Sequence, residues 1–171
     1  VMGESGSGKT TSLRTLNPET TFIIECDGKG LSWRGWKNQY AKDKKNYFET
    51  DNAPMIEDLL DRINSKLPNI KVIVIDTLNM IMVNDEIRRM KERGYDKWAD
   101  LATCIWGLID TAHNLRDDLT VVCMAHTQTE RDDSGYQFTR MKPSGKKLDK
   151  VCVESKFSTV LLSKCLDGED I

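Results

Sequence analysis

GESGSGKT, running from Gly3 to Thr10, matches G-x-x-x-x-G-K-[ST] at every position, and the rest of the chain is read outward from it. A loop of this pattern curls its backbone N–H groups inward around phosphate oxygens; Gly3, Gly6 and Gly8 permit the curl, and Glu4, Ser5 and Ser7 fill the positions between them. Lys9 is placed to reach the β and γ phosphates, and Thr10, with Thr11 beside it, to bring a hydroxyl to Mg²⁺. Such a loop must open a helix. Residues 10–16 are helix-compatible as far as Asn17-Pro18, so the helix N-terminus adds its dipole to phosphate binding. The expectation is a bound nucleoside triphosphate with Mg²⁺. A strand should precede the loop, and strands run to ~5 residues, yet only Val1 and Met2 stand before Gly3. A first strand largely missing from the chain is therefore expected, with the chain truncated at its N-terminus and at Asp170-Ile171 as well.

Outward from the loop, strand and helix patterns alternate. Residues 20–26 are β-branched and apolar and end at Asp27-Gly28, and a short strand is expected near Tyr47–Thr50. Asp51-Asn52-Ala53-Pro54 opens a helix whose apolar residues recur at spacings of three and four until Pro68. Lys71-Val72-Ile73-Val74-Ile75-Asp76 is a continuous apolar run closed by a carboxylate, the mark of a strand buried on both faces of a parallel sheet. Helical periodicity follows from Met80 to Gly94 and from Trp98 to Leu115, then a buried strand over 119–125. His126 to Gly145 reads as a polar loop, 147–153 as a short helix and 157–162 as a last strand. This alternation predicts one α/β domain over residues 1–171, with a doubly wound, mostly parallel sheet.

Composition narrows the class. With 25 Lys+Arg against 27 Asp+Glu, 39% hydrophobic and 30% charged residues, the chain is an ordinary globular domain. No stretch has the apolar length of a membrane span, and Val1-Met2-Gly3 does not resemble a signal peptide, so no membrane partner and a cytoplasmic location are expected. Five cysteines, widely spaced and without a C-x-x-C pair, argue against both a disulfide framework and a zinc site. Two basic clusters, residues 28–45 and 140–150, leave room for a polyanionic partner.

Asp76, at the C-terminal end of its strand, is placed to hold Mg²⁺ as a Walker B aspartate does. Asp27 ends the strand after the loop helix and is the candidate to orient a water toward the γ-phosphate, with Glu25 on the same strand face as its rival. His126 and Gln128, after the next strand, fall at the sheet edge where ligands collect, the place for a γ-phosphate sensor. A guanine-reading N-K-x-D motif is absent from the sequence, so ATP is the expected nucleotide.

These motifs, GESGSGKT at 3–10, IIECDG at 23–28, KVIVIDT at 71–77, the helix start from Tyr95 to Trp98 and VVCMAHTQ at 121–128, resemble P-loop ATPases with a RecA-like core. Within that group the chain is most similar to phage-encoded AAA-type nucleotide-binding proteins of recombination and single-strand annealing. The resemblance implies ATP hydrolysis with Mg²⁺, a carboxylate base matching Asp27, and a polar sensor matching His126 or Gln128. AAA+ ATPases usually carry a catalytic Glu where this chain has Thr77, and Asp27 is shorter than the usual Glu base. A ring or filament of like subunits is implied too, in which a neighbour supplies Lys146 or Lys147, or else Arg131 or Arg140, to the triphosphate. Single-stranded DNA is the implied partner, met by Arg131, Tyr136, Phe138, Arg140 and Lys142 or by the Trp33-Arg34-Gly35-Trp36 cluster, in a host cytoplasm if the chain is phage-encoded. Two other functions fit the motifs: a P-loop small-molecule kinase with an anionic acceptor on residues 28–45, and a nucleotide-gated binding module with little turnover.

Overall fold

The computed structural model describes residues 1–92, 96–143 and 152–165. The continuous apolar runs become its central strands: β2 (Thr21–Glu25) and β4 (Val72–Asp76) lie parallel in register, Glu25 beside Asp76, and both are almost wholly buried. β3 (Tyr47–Glu49) flanks β2, and β5 (Thr120–Cys123) flanks β4, all parallel. The two-residue β1 (Met2–Gly3) runs parallel to β6 (Ala125–Arg131) on one side and to β8 (Leu162–Ser163) on the other. β5 and β6 are separated only by Met124, whose N–H bonds to Ile75 O (2.8 Å), while Ala125 N bonds to Val1 O (2.9 Å). One strand direction thus passes from the β4 neighbourhood to the β1 neighbourhood, and His126 arrives between the phosphate loop and Asp76.

Both faces of the sheet are covered, as the unbroken apolar runs predict. Ile24, Ile73 and Ile75 pack with Ile56, Leu60 and Ile63 of α2 (Ala53–Lys66) and with Ile105, Leu108 and Ile109 of α4 (Asp96–His113). Ile23 and Val74, pointing the other way, pack with Leu13, Leu31, Tyr40, Tyr47 and Met124. α2 starts where the sequence predicts: Asn52 Oδ1 accepts from Met55 N (3.0 Å), Pro54 sits in the first turn, and the helix ends before Pro68. α3 (Leu78–Arg88) follows β4 directly. Ile75 is fully buried between Ile24 and Cys123 on the neighbouring strands. Ile75→Ala should lower unfolding stability by about 2–5 kcal/mol, read by denaturant titration, because the paired strands cannot collapse into the space left.

Two expectations are corrected. The stretch after Met124 is no loop: β6 and β7 (Gln137–Met141) form an antiparallel hairpin. Its strands escaped notice because they lack an apolar face; the Thr129 and Thr139 hydroxyls meet across it (3.4 Å), Glu130 pairs with Arg140, and Asp132 and Gly135 make the turn. The last strand covers only Leu162–Ser163, following a 3₁₀ turn at Val153–Lys156. Most of the short helix expected over 147–153, with Lys146 and Lys147, lies outside the described residues, as does Tyr95. Trp33 and Trp36 pack edge-on and tilted against Tyr40 and Tyr47 as part of the core covering. No helix among the described residues is long and apolar enough to cross a membrane.

Candidate functional site

β1 delivers Gly3 to the sheet edge between His126 and Ser163, and the chain then turns through Glu4–Gly8 into α1 (Lys9–Ser12). Gly6 and Gly8 take the left-handed φ values of 82° and 85° that the curl needs. Gly3 is required for closeness: a Cβ there would lie 2.6 Å from both Ser163 O and Ser7 Oγ. Lys9, buried under this loop, donates to Gly3 O (2.8 Å) and Glu4 O (2.7 Å) and lies 3.5 Å from His126 Nδ1. Burial lowers its pKa, and the Asp76 carboxylate opposes that effect. Its ammonium is thus held on the carbonyls of the loop itself.

Thr10 Oγ1 donates to Asp76 Oδ2 (2.7 Å), so the two residues expected to hold Mg²⁺ touch across 66 positions of sequence. Asp76 is 2% exposed and its other oxygen, Oδ1, is buried without a hydrogen-bond partner. Burial raises the Asp76 pKa, the Asp27 charge adds to this, and Thr10, Lys29 and Lys9 oppose it. An orphaned carboxylate oxygen beside a hydroxyl, at the foot of a phosphate loop, fits a hard cation that takes its remaining ligands from phosphates and water. Among the described residues there is no group of three or more His, Cys, Asp or Glu that could hold a metal ion.

The acidic end of β2 separates the two base candidates. Glu25 is buried, and its carboxylate accepts the N–H groups of Asp27 (3.1 Å), Gly28 (3.0 Å) and Lys29 (3.4 Å); it anchors the loop that leaves the strand. Burial raises its pKa against the pull of those three N–H groups. Asp27 turns instead toward Asp76: its Oδ1 accepts from Thr77 Oγ1 (2.9 Å), and its Oδ2 is ion-paired with Lys29. Thr77, which follows Asp76 through a cis peptide bond, thereby links the two carboxylates.

His126 is fixed by its backbone, whose N–H donates to Asn79 Oδ1 (2.6 Å), while Asn79 Nδ2 donates to Lys142 O (2.5 Å). Burial and then the Lys9 charge lower its pKa, favouring neutral imidazole beside the lysine. Gln128 lies farther along the same strand face, where its amide donates to Glu130, which is also bonded to Arg140. Of the two sensor candidates, His126 is the one in contact with the loop lysine. Arg140 is engaged on the hairpin with Glu130.

One cleft brings together Ser5, Gly6, Gly8, Lys9, Thr10, Thr11, Lys29, Ser32, Thr77 and His126. Thr11 contributes a hydroxyl bonded to Ser32 (2.8 Å) rather than a free group. The reading from sequence alone missed Lys29, Ser32, Thr77 and Asn79 as parts of the site. Asn79 had a signal, a polar residue three positions after the strand-ending Asp76 inside an otherwise apolar stretch; Lys29 had none, being one of six basic residues between 28 and 45.

A family model described as an AAA domain matches residues 1–165, nearly the whole chain. No curated protein matches it.

Proposed function

We propose that this chain, which belongs to the AAA domain family, binds ATP with Mg²⁺ and hydrolyses it to ADP and phosphate. The observation that carries the reading is the buried, partnerless Oδ1 of Asp76 next to the Thr10 hydroxyl at the foot of the phosphate loop. Family membership supports nucleotide binding; the carboxylate and hydroxyl support the metal. Loop amides from Glu4 to Thr10 and the Lys9 ammonium hold the phosphates, and Thr10 and Asp76 hold Mg²⁺, which when bound neutralises charge on the β and γ phosphates. Asp27 orients the attacking water, and His126, neutral beside Lys9, accepts a hydrogen bond from the lysine and registers where it sits.

In its finer form the reading couples hydrolysis to single-stranded DNA in an oligomer, with Lys146 or Lys147 of a neighbouring subunit completing the site. Tyr136, 68% exposed, and Phe138 on the β6–β7 hairpin support it as stacking surfaces for bases. The hairpin strands and turn, residues 125–141, hold Arg131 and Arg140 against Glu130, Asp132 and Asp133, so they contribute stacking rather than net positive charge. The test is phosphate release at several protein concentrations, with and without single-stranded DNA. Release should require Mg²⁺, equal the ATP consumed, rise per subunit with concentration and rise again with DNA. ATP consumption that outruns phosphate release would replace hydrolysis with transfer to an acceptor. A rate per subunit indifferent to concentration and DNA would remove the interface and the nucleic acid from the reading.

A further inference from the structure

We propose that Lys29 is a second phosphate-binding cation of this chain, that its ion pair with Asp27 opens when the ammonium captures the γ-phosphate, and that Asp27 is thereby released to orient water. The inference rests on the hydrolytic reading above for Asp27 and on the cleft alone for Lys29.

The loop bearing Lys29 is set rigidly. Glu25 holds the N–H groups of residues 27–29 from below, Gly28 takes a left-handed φ of 70°, and Gly30 lies so close to Trp36 that a Cβ would stand 2.8 Å from the indole. The backbone is anchored and the side chain reaches solvent: the Lys29 side chain is 59% exposed, whereas that of its partner Asp27 is 5% exposed. The lysine lines the same cleft as Lys9, Thr10, Thr77 and His126.

Both oxygens of Asp27 are occupied in this arrangement, one by Thr77 and the other by Lys29. Each of these oxygens keeps a further acceptor position, but Lys29 lines the cleft and Asp27 does not, so the ammonium covers Oδ2 on the side from which water must come. Thr77 cannot leave readily, being 1% exposed and part of the backbone that follows Asp76. Lys29 can, because its ammonium reaches solvent and its four-carbon stem is flexible. A triphosphate entering the cradle offers that ammonium a stronger anion. Once Lys29 has moved, Asp27 Oδ2 faces the attacking water: the water oxygen bonds to the γ-phosphorus, the bond to the β–γ bridging oxygen breaks, ADP departs with that electron pair, and Asp27 takes the proton. ADP lacks the γ-phosphate and leaves the Lys29–Asp27 pair closed. The ion pair therefore makes the site sensitive to which nucleotide it holds.

Affinities for a non-hydrolysable ATP analogue and for ADP, both with Mg²⁺, test this in the wild type, Lys29→Ala, Lys29→Arg and Asp27→Asn chains, whose folding is checked by circular dichroism. Lys29→Ala should weaken the triphosphate analogue about tenfold, the size of one lost charge-assisted contact, and leave ADP almost unchanged; Lys29→Arg should restore most of the loss. Asp27→Asn should bind the analogue more tightly, and that gain should disappear when Lys29→Ala is added, since the freed cation is its source. Equal weakening of both nucleotides, no weakening of either, or a gain in Asp27→Asn that survives in the double variant would each overturn the proposal. These readouts need no turnover: a wild type that binds nucleotide without hydrolysing it would defeat the hydrolytic reading and the release of Asp27 as a base, while the analogue-to-ADP ratio still decides whether Lys29 binds phosphate.

Discussion

A chain carrying Asp76→Asn should lose Mg²⁺-dependent ATP hydrolysis by about 10²–10³-fold and, free of ligand, should melt at a higher temperature than the wild type. The two effects have one cause. The Asp76 carboxylate is buried, with one oxygen satisfied by Thr10 and the other by nothing, an arrangement that suits a cation and penalises the empty fold. Asparagine keeps an oxygen for the Thr10 hydroxyl but removes the charge. The gain should be about 1 kcal/mol, or ~2–4 °C for a domain of this size.

Its pH dependence follows from the direction of the Asp76 shift. Burial raises the folded-state pKa above that of the unfolded chain, so between the two values the folded state binds more protons and stability falls as pH rises. The penalty is absent below the ordinary aspartate range, ~3.9, grows through the raised folded value and is complete above it. Glu25 is raised in the same direction but is common to both proteins. The difference between wild type and Asp76→Asn should therefore be largest at neutral pH and vanish in acid, as melting curves at several pH values will show. A variant that melts lower at neutral pH, or that still hydrolyses ATP, would mean that Asp76 is a structural residue and no metal ligand.

How far such a site can be read without a structure depends on where each residue's partners lie. The phosphate loop is local, eight consecutive residues whose glycines and lysine carry their own geometry, and the strand ending in Asp76 is announced by four apolar residues in succession. Glu25 and Asp27 share a spacing of two and so looked interchangeable as bases. They differ because β2 ends at Glu25: the period-two rule stops there, and the chain folds back so that Glu25 receives three N–H groups of the loop. The hairpin was invisible for a related reason. Alternation marks a strand only when one face is apolar, and β6 and β7 present Thr127, Thr129, Arg131, Gln137 and Thr139 on one face and His126, Gln128, Glu130 and Arg140 on the other. Lys29 was hidden differently, since nothing within residues 28–45 distinguishes it from Lys37, Lys42 or Lys44; only the fold, which sets it in the same cleft as Lys9, Thr77 and His126, does so.

Lys9→Ala should reduce affinity for ATP by about 100-fold, the equivalent of roughly 2–3 kcal/mol for charge-assisted contacts to two phosphates. It should also change a neighbour in a way that needs no nucleotide. His126 Nδ1 lies 3.5 Å from Lys9 Nζ, and its pKa is held down first by burial and then by the lysine charge. Removing that charge leaves burial in force but deletes the second cause, so the His126 pKa should rise toward its ordinary value without reaching it. The imidazole resonance, assigned by its loss in His126→Asn, follows this directly in a pH titration by NMR. If affinity falls while the His126 titration stays where it was, Lys9 binds phosphate but is not electrically coupled to His126, and the sensor role passes to another group. If the titration moves as expected, the same coupling must operate in reverse. Phosphate that draws Lys9 away from Gly3 O and Glu4 O also moves charge relative to His126, so the imidazole pKa becomes a reporter of whether the cradle is filled. Adding ADP and then a triphosphate analogue to the wild type should accordingly shift the His126 titration in two distinct steps.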